Sequence, residues 1–230
     1  MKLRGERYEI LSSKDANVDY WQQDVFPDWA AISLFRAFPV EPAGSGAEPH
    51  YHDTDEFWLF REGRGELWLD DTRYDITPNT VVYTPMGVVH RFQMFTPFKN
   101  TAIVTPLEGK KRPDHLLVER EGPPQPTAPG LVVSGTENNG AFADPGARCP
   151  LSELRTVDFT AADVVTESEL LQNEHWIVTE GELRLTVDGV IVTLTEEDVA
   201  LLRAGAVRAI QATAQAQAVV ARERPLPANL

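Results

Sequence analysis

Residues 44–63 read GSGAEPHYHDTDEFWLFREG, and this stretch decides the fold. One residue separates His50 from His52, so in an extended chain both imidazoles leave the same face, because strand side chains alternate with period two. Asp53-Thr54-Asp55 then makes a short turn, and Glu56 opens a second strand in which Trp58 and Phe60 share its side. Farther on, Pro85, Gly87 and His90 form a Pro-x-Gly-x-x-His turn that delivers a third histidine. Imidazole and carboxylate donors brought together from neighbouring strands suit a divalent first-row metal. Three His and one Glu leave positions on a five- or six-coordinate ion open to substrate or oxygen. His50, His52, Glu56 and His90 are therefore the candidate ligands, and Glu56 is also the candidate catalytic base. The competing reading places these histidines at a polar surface or in turn hydrogen bonds, the commoner fate of any single histidine.

Outward from this stretch, the apolar residues fall into short runs bounded by Gly, Pro, Asn or Asp, the texture of an antiparallel β protein. Strands are expected at Ala31 to Phe38, Glu56 to Phe60, Glu66 to Leu69, Val81 to Thr84, His90 to Met94 and Ala102 to Thr105. A second series covers His175 to Val178, Leu183 to Val187, Val190 to Leu194 and Ile210 to Val220. In the last, Gln211, Thr213, Gln215 and Gln217 alternate with alanines, which a strand explains more simply than a helix. Ser152 to Arg155 and Thr195 to Asp198 are marginal helical candidates. Between Glu119 and Gly130 stand Pro123, Pro124, Pro126 and Pro129, which suit neither a helix nor a strand interior. This segment reads as a linker between residues 1–118 and residues 131–230.

The two flanks repeat. An offset of 118 without gaps superposes Glu56 on Glu174, Trp58 on Trp176, Glu62 on Glu180, Gly63 on Gly181, Leu67 on Leu185 and Asp70 on Asp188. It also superposes Thr77 on Thr195, Val81 on Val199, Gly87 on Gly205 and Val89 on Val207. Duplication of one β domain is the expected origin.

Composition bounds the function. The 230 residues carry 21 Lys+Arg against 35 Asp+Glu, a formal net charge of -14, which repels phosphate backbones and anionic lipid surfaces. The longest basic run is Lys110-Lys111-Arg112, so neither nucleic acid nor membrane is an expected partner. Cys149 is the single cysteine, which excludes an intramolecular disulfide and a multi-Cys zinc site and fits a reducing compartment. The first 15 residues lack the apolar stretch of a signal peptide, and no run approaches a membrane span. A cytoplasmic protein is expected, and exposed sheet edges make a homodimer plausible.

The motifs resemble those of the cupin superfamily. Its first motif is a glycine, five residues, His-x-His, three or four residues, Glu, six residues and a glycine, matched by Gly44, His50, His52, Glu56 and Gly63. Its second, Gly-x5-Pro-x-Gly-x2-His-x3-Asn, is matched by Pro85, Gly87 and His90, with Asn79 in place of the first glycine and Met94 in place of the final asparagine. Asn tolerates the left-handed turn that Gly often takes. The resemblance covers about residues 30 to 108. It implies an all-β fold of two jelly-roll type cupin barrels in tandem, a bicupin, with one divalent Fe, Ni, Mn, Zn or Cu ion in the first barrel. The 118 offset puts Ser168, Leu170, Glu174 and Arg208 opposite His50, His52, Glu56 and His90, so the second barrel is expected to be degenerate and without metal. His175 adjoins Glu174 but faces the other way.

With Glu56 inward, alternation turns Trp58 and Phe60 inward, and His90 brings Phe92 and Met94. These residues, with Arg36 as an anion anchor, are the candidate substrate contacts, although aromatic residues in a small barrel also simply fill the core. Cupins of similar ligand set include dioxygenases, isomerases or epimerases, cyclases, lyases and decarboxylases. The aromatic lining tilts the expectation toward a dioxygenase acting on a small oxygenated metabolite. A metal-dependent isomerase, epimerase or cyclase stands close behind, and a non-catalytic small-molecule-binding protein is a third class.

Overall fold

A computed structural model describes residues 3–12, 26–107, 115–121, 124–134, 141 and 149–225. Among them the elements are antiparallel strands, apart from the single helical turn Val118–Glu121. The described chain divides into two compact units: residues 26 and 32–149, and residues 150–225 together with 3–12 and 27–31.

The first unit is built from two five-stranded sheets. One runs, edge to edge, Leu131–Val133, Thr80–Thr84, Glu56–Glu62, Lys99–Val104 and Leu34–Ala37. The other runs His115–Leu117, Gly46–His52, His90–Met94, Gly65–Leu69 and Thr72–Ile76. Alternation along each strand sends one set of side chains inward, and Phe60 and Val82 from the first sheet meet Leu67, Phe92 and Met94 from the second in one core. Such a closed pair of sheets positions residues at strand ends facing each other across the interior.

In the second unit a six-stranded sheet runs Leu3–Arg4, Tyr8–Leu11, Val199–Leu202, Glu174–Glu180, Ala216–Glu223 and Leu151–Phe159. It packs on a four-stranded sheet of Val164–Glu169, Val207–Ala212, Glu182–Val187 and Val190–Thr195. Strand order repeats that of the first unit, and equivalent strands start within one residue of the 118 offset, with Glu56–Glu62 and Glu174–Glu180 118 apart at both ends. The backbone repeats even where it is unusual. Asp70 and Asp188 take φ of 50° and 47°, and Asn79 and Glu197 take 65° and 68°. Left-handed non-glycine residues are uncommon, so their recurrence at the same offset marks one chain path used twice. Asn79 thus fills the left-handed position expected of it.

Three details differ from the sequence reading. The units are not 1–118 and 131–230. Leu131–Val133 pairs with Val81–Tyr83 and completes the first barrel, whereas Tyr8–Leu11 pairs with Val199–Leu202 and takes the corresponding place in the second. Ser152 to Arg155 lies inside the strand Leu151–Phe159, held by pairing with Ala216–Glu223. Ile210 to Val220 is two strands, because a bend at residues 213–215 sends Ala216–Glu223 into the opposite sheet. The proline-rich segment, where described, carries only the end of the helical turn and then irregular chain from residue 124 to 130. The basic run at 110–112 lies outside the described residues.

Two glycines of the His-x-His motif separate conformational from steric need. Gly44 has φ +85° and open space where a Cβ would stand, whereas Gly63 has φ +99° and a Cβ there would meet Phe98 Cβ at 2.5 Å and Pro97 O at 2.9 Å. Gly44→Ala is expected to cost about 1 kcal/mol for the left-handed backbone alone. Gly63→Ala is expected to cost more, about 2–4 kcal/mol, and equal losses in denaturant unfolding would contradict the packing at Gly63.

Candidate metal centre

His50 and His52 close the strand Gly46–His52, and His90 opens the neighbouring strand, with His50 and His90 directly paired in register. Glu56 comes from the facing sheet, where it pairs with Thr84 and Val104. The barrel thus presents three imidazoles from one sheet and a carboxylate from the other. All four are buried, with 2%, 4%, 3% and 5% of their surface exposed for His50, His52, His90 and Glu56. One ring nitrogen from each histidine lies within 4.8 Å of the others. Three nitrogens sharing one ion through bonds of about 2.1 Å stand about 3–3.4 Å apart, so small side-chain shifts suffice to close the rings on an ion. Glu56 Oε2 lies 3.3 Å from both His52 Nε2 and His90 Nε2.

Hydrogen bonds fix two of the rings. His50 Nδ1–H donates to Glu48 O at 2.7 Å and His90 Nδ1–H donates to Val88 O at 3.0 Å. A carbonyl only accepts, so Nδ1 carries the hydrogen and the Nε2 of a neutral ring carries a lone pair. A buried lone pair facing a buried carboxylate at 3.3 Å is repulsive unless a cation, a proton or a metal ion, stands between them. Burial pushes the Glu56 carboxyl up, but the charge and hydrogen bonding of His52 and then His90 outweigh it and hold the group well below the usual carboxylate range. The three-His cluster fits a metal site on these grounds: oriented nitrogen donors, an adjacent anionic oxygen, and outer partners that set the tautomer.

Trp58 shares the inward face with Glu56 and packs edge-on against Phe92 at 4.8 Å, with Phe60 at 5.7 Å. Phe60 and Met94 are wholly enclosed in the barrel core, while Trp58 keeps partial exposure. Arg36 pairs with Ala102, which pairs with Trp58, so Arg36 also stands on the inward face, its guanidinium 5.0 Å from the Phe38 ring centroid. Arg91 lies over the Trp68 ring at 4.1 Å and is exposed, as alternation from His90 requires.

The second barrel answers the same burial problem differently. Glu174, equivalent to Glu56, is 1% exposed. Arg208, equivalent to His90, donates through Nε to Glu174 Oε1 at 2.8 Å and through Nη1 to Ser168 Oγ at 3.0 Å. Arg222 Nε donates to Glu174 Oε2 and Trp176 Nε1 donates to Oε1, both at 2.8 Å. A tethered guanidinium therefore supplies the cation, and Leu170 joins the core where His52 stands in the first barrel. The offset alignment points to Arg208, but Arg222 and its second carboxylate partner, Glu153, carry no sequence signal beyond charge on a strand. His175 faces away from Glu174, with Nε2 2.7 Å from Glu223 Oε1.

Comparison with known proteins agrees with this geometry. Residues 38–99 match the family model described as Cupin domain, which includes all four of these first-barrel residues. An uncharacterized protein, y4oW, of Sinorhizobium fredii is 32% identical over 90 residues, 38% of this chain; the match spans only 42% of that relative's length. Among solved structures, a single-substitution variant of oxalate decarboxylase from Bacillus subtilis superposes with TM-score 0.63 at 12% identity, covering 97% of this chain and 74% of the other. AerE of Microcystis aeruginosa superposes with TM-score 0.59 at 11% identity, covering 98% and 97%. Vicilin of Corylus avellana superposes with TM-score 0.60 at 9% identity, covering 97% and 82%. At such identities these likenesses establish the fold.

The Glu174 cluster sets an acid dependence. Burial pushes the Glu174 carboxyl up, but the hydrogen bond and charge of Arg208, with Arg222 and Trp176, hold it below the usual range. A depressed folded-state pKa stabilises the protein above the unfolded value of about 4.3, and that contribution is lost as pH falls through the folded value. Glu174→Gln is expected to cost about 3–5 kcal/mol at pH 7, because two guanidinium groups lose their buried counter-ion. It should also flatten the decline in stability below about pH 4.3. Urea unfolding of both proteins from neutral to acid pH checks this, and parallel pH profiles would contradict it.

Proposed function

We propose that this chain, a cupin-fold protein of two barrels, is a metal-dependent enzyme acting on a small oxygenated organic metabolite, with a dioxygenase-type oxidation as its reaction. His50, His52, His90 and Glu56 hold one divalent transition ion in the first barrel, and the second barrel holds none. The observation that carries this reading is the buried cluster of three imidazoles, two with their Nδ1–H groups tied to backbone carbonyls, facing one carboxylate. An ion bound there supplies Lewis acidity toward an oxygen ligand and, when redox-active, electrons for oxygen chemistry.

The chain's own residues do the rest. His50 and His90 keep their Nε2 lone pairs aimed inward through the Glu48 and Val88 carbonyls. Glu56 either ligates the ion or, released from it, takes a proton at Oε2 from an enolisable or hydroxylic substrate. Phe60, Phe92 and Met94 exclude water from the interior, which strengthens every electrostatic contact made there. The same carboxylate supports a second reading. A base within 3.3 Å of two histidine nitrogens can return its proton to another carbon, which is isomerisation, epimerisation or cyclisation with a redox-silent ion.

The test is elemental analysis of protein purified without a His tag or chelator. About one transition ion per chain is expected. His52→Ala and His90→Ala should each lose it while staying folded, whereas Ser168→Ala should leave metal content unchanged. Loss of a direct ligand should weaken affinity by more than the roughly 10–100-fold that an outer partner costs. Oxygen consumption with enolisable and phenolic substrates supports the oxidation, turnover under nitrogen supports the second reading, and tight binding without product overturns both. Equal metal in wild type and both histidine variants would contradict the site.

A further inference from the structure

The two barrels place the same Glu-x-Trp sequence at the same strand position and use the tryptophan differently. In the second barrel Trp176 Nε1–H donates to Glu174 Oε1 at 2.8 Å. In the first barrel Glu56 is drawn to His52 and His90, and the buried Trp58 Nε1–H makes no hydrogen bond. A buried indole N–H without an acceptor is unfavourable, and its natural partner is an oxygen of something that enters the barrel.

The surroundings say what kind of oxygen. Trp58 lies two residues beyond Glu56 on the same face, about 7 Å along the strand, a distance that a small chelating ligand spans. In register with Trp58, across Ala102, stands Arg36 on the edge strand Leu34–Ala37, two strands and about 10 Å away. The Arg36 guanidinium lies 5.0 Å from the ring centroid of Phe38, just beyond the end of its own strand, and an arginine side chain is long enough to swing across most of that gap. The row next to the four candidate ligands therefore combines an indole donor with a guanidinium. The protein's net charge of -14 repels anions at long range, so selection of an anion has to be local, and this row carries the means.

Resting on the metal-site reading above, we infer that the ligand of this centre is a chelating organic anion whose outlying carboxylate oxygen is received by Trp58 Nε1–H and the Arg36 guanidinium. Trp58 is a binding residue here, and the substrate class narrows from oxygenated metabolites to those bearing a carboxylate beside the chelating group. The corresponding position in the second barrel is closed, because Trp176 is already spent on Glu174.

Two probes separate this contact from chelation itself. Malonate and the enolate of pentane-2,4-dione form the same six-membered chelate through two oxygens, but malonate carries two further oxygens where the dione carries methyl groups. Both would be titrated into full-length cobalt-loaded protein and followed by the visible absorption of the metal. Trp58→Phe keeps an aromatic wall and removes the donor. It should weaken malonate about tenfold, as expected for a hydrogen bond to a charged acceptor, and leave the dione within about twofold. Arg36→Gln should weaken malonate about fivefold and reduce its salt dependence, again sparing the dione. In zinc-loaded wild type, one indole N–H proton resonance should move downfield with malonate and not with the dione.

Equal losses for both probes would mean that Trp58 and Arg36 only shape the barrel, and wild-type malonate affinity in both variants would mean that they touch no ligand; either overturns the inference. Failure of the wild type to take up cobalt overturns the metal site and the inference with it. Normal cobalt uptake with indole resonances indifferent to malonate overturns the inference alone.

Discussion

A carboxylate buried inside a β-barrel has to face a cation. Glu56 and Glu174 occupy the same place in two copies of one fold, 5% and 1% exposed, and neither tolerates that environment as a lone anion. Each barrel is organised around its answer. The second answers with arginine: Arg208 and Arg222 clamp Glu174 from two different strands, and Trp176 donates a further hydrogen bond. The first offers three imidazoles, two of which have their outer nitrogens tied to backbone carbonyls, so that the inner lone pairs of those two need a positive partner as much as the carboxylate does. A metal ion satisfies both requirements at once. The contrast within one chain makes the case from physical chemistry, because the backbone is shared and only the side chains differ.

Sharing extends to the parts of the fold that position these groups. The left-handed residues Asp70, Asn79, Asp188 and Glu197 recur at one offset, as do the glycine turns at Gly63 and Gly181. These turns set strand register, and register sets which side chains enter the interior. In the first barrel it puts His50 opposite His90 and carries Glu56 on the facing sheet. On these shared turns one interior carries a centre of nitrogen donors and the other a closed ion-pair cluster. Short strands outside the repeat proper extend the sheets at matching places, Leu131–Val133 in the first barrel and Tyr8–Leu11, with Leu3–Arg4 outside it, in the second.

Much of this is legible in the sequence. Period-two alternation identifies most strands of both barrels, and the spacing of His50, His52, Glu56 and His90 identifies a cluster that the fold does assemble. The repeat alone places Arg208 opposite His90. What escapes the sequence is non-local. Nothing near Tyr8 encodes that its partner strand begins at Val199, and four buried residues in a row give no period to read. The boundary at 131 is misplaced because a three-residue strand after a proline-rich stretch belongs with what precedes it. The strand reading of Ile210 to Val220 is half correct: polar and alanine residues do alternate, but the bend at 213–215 carries the chain from one sheet to the other without breaking the alternation. Arg222 goes unseen because a charged residue on a strand looks like a solvated one until its partner across the sheet is known.

The central proposal is that His50, His52, His90 and Glu56 hold one ion in the first barrel. X-ray absorption at the metal edge of the full-length chain loaded with one equivalent of zinc tests it most directly. A first shell of nitrogen and oxygen only is predicted, with outer-shell scattering from three imidazoles, and that imidazole scattering should be absent in His52→Ala, which loses the ion. A shell containing sulfur from Cys149, or one with fewer than three imidazoles in the wild type, would contradict it.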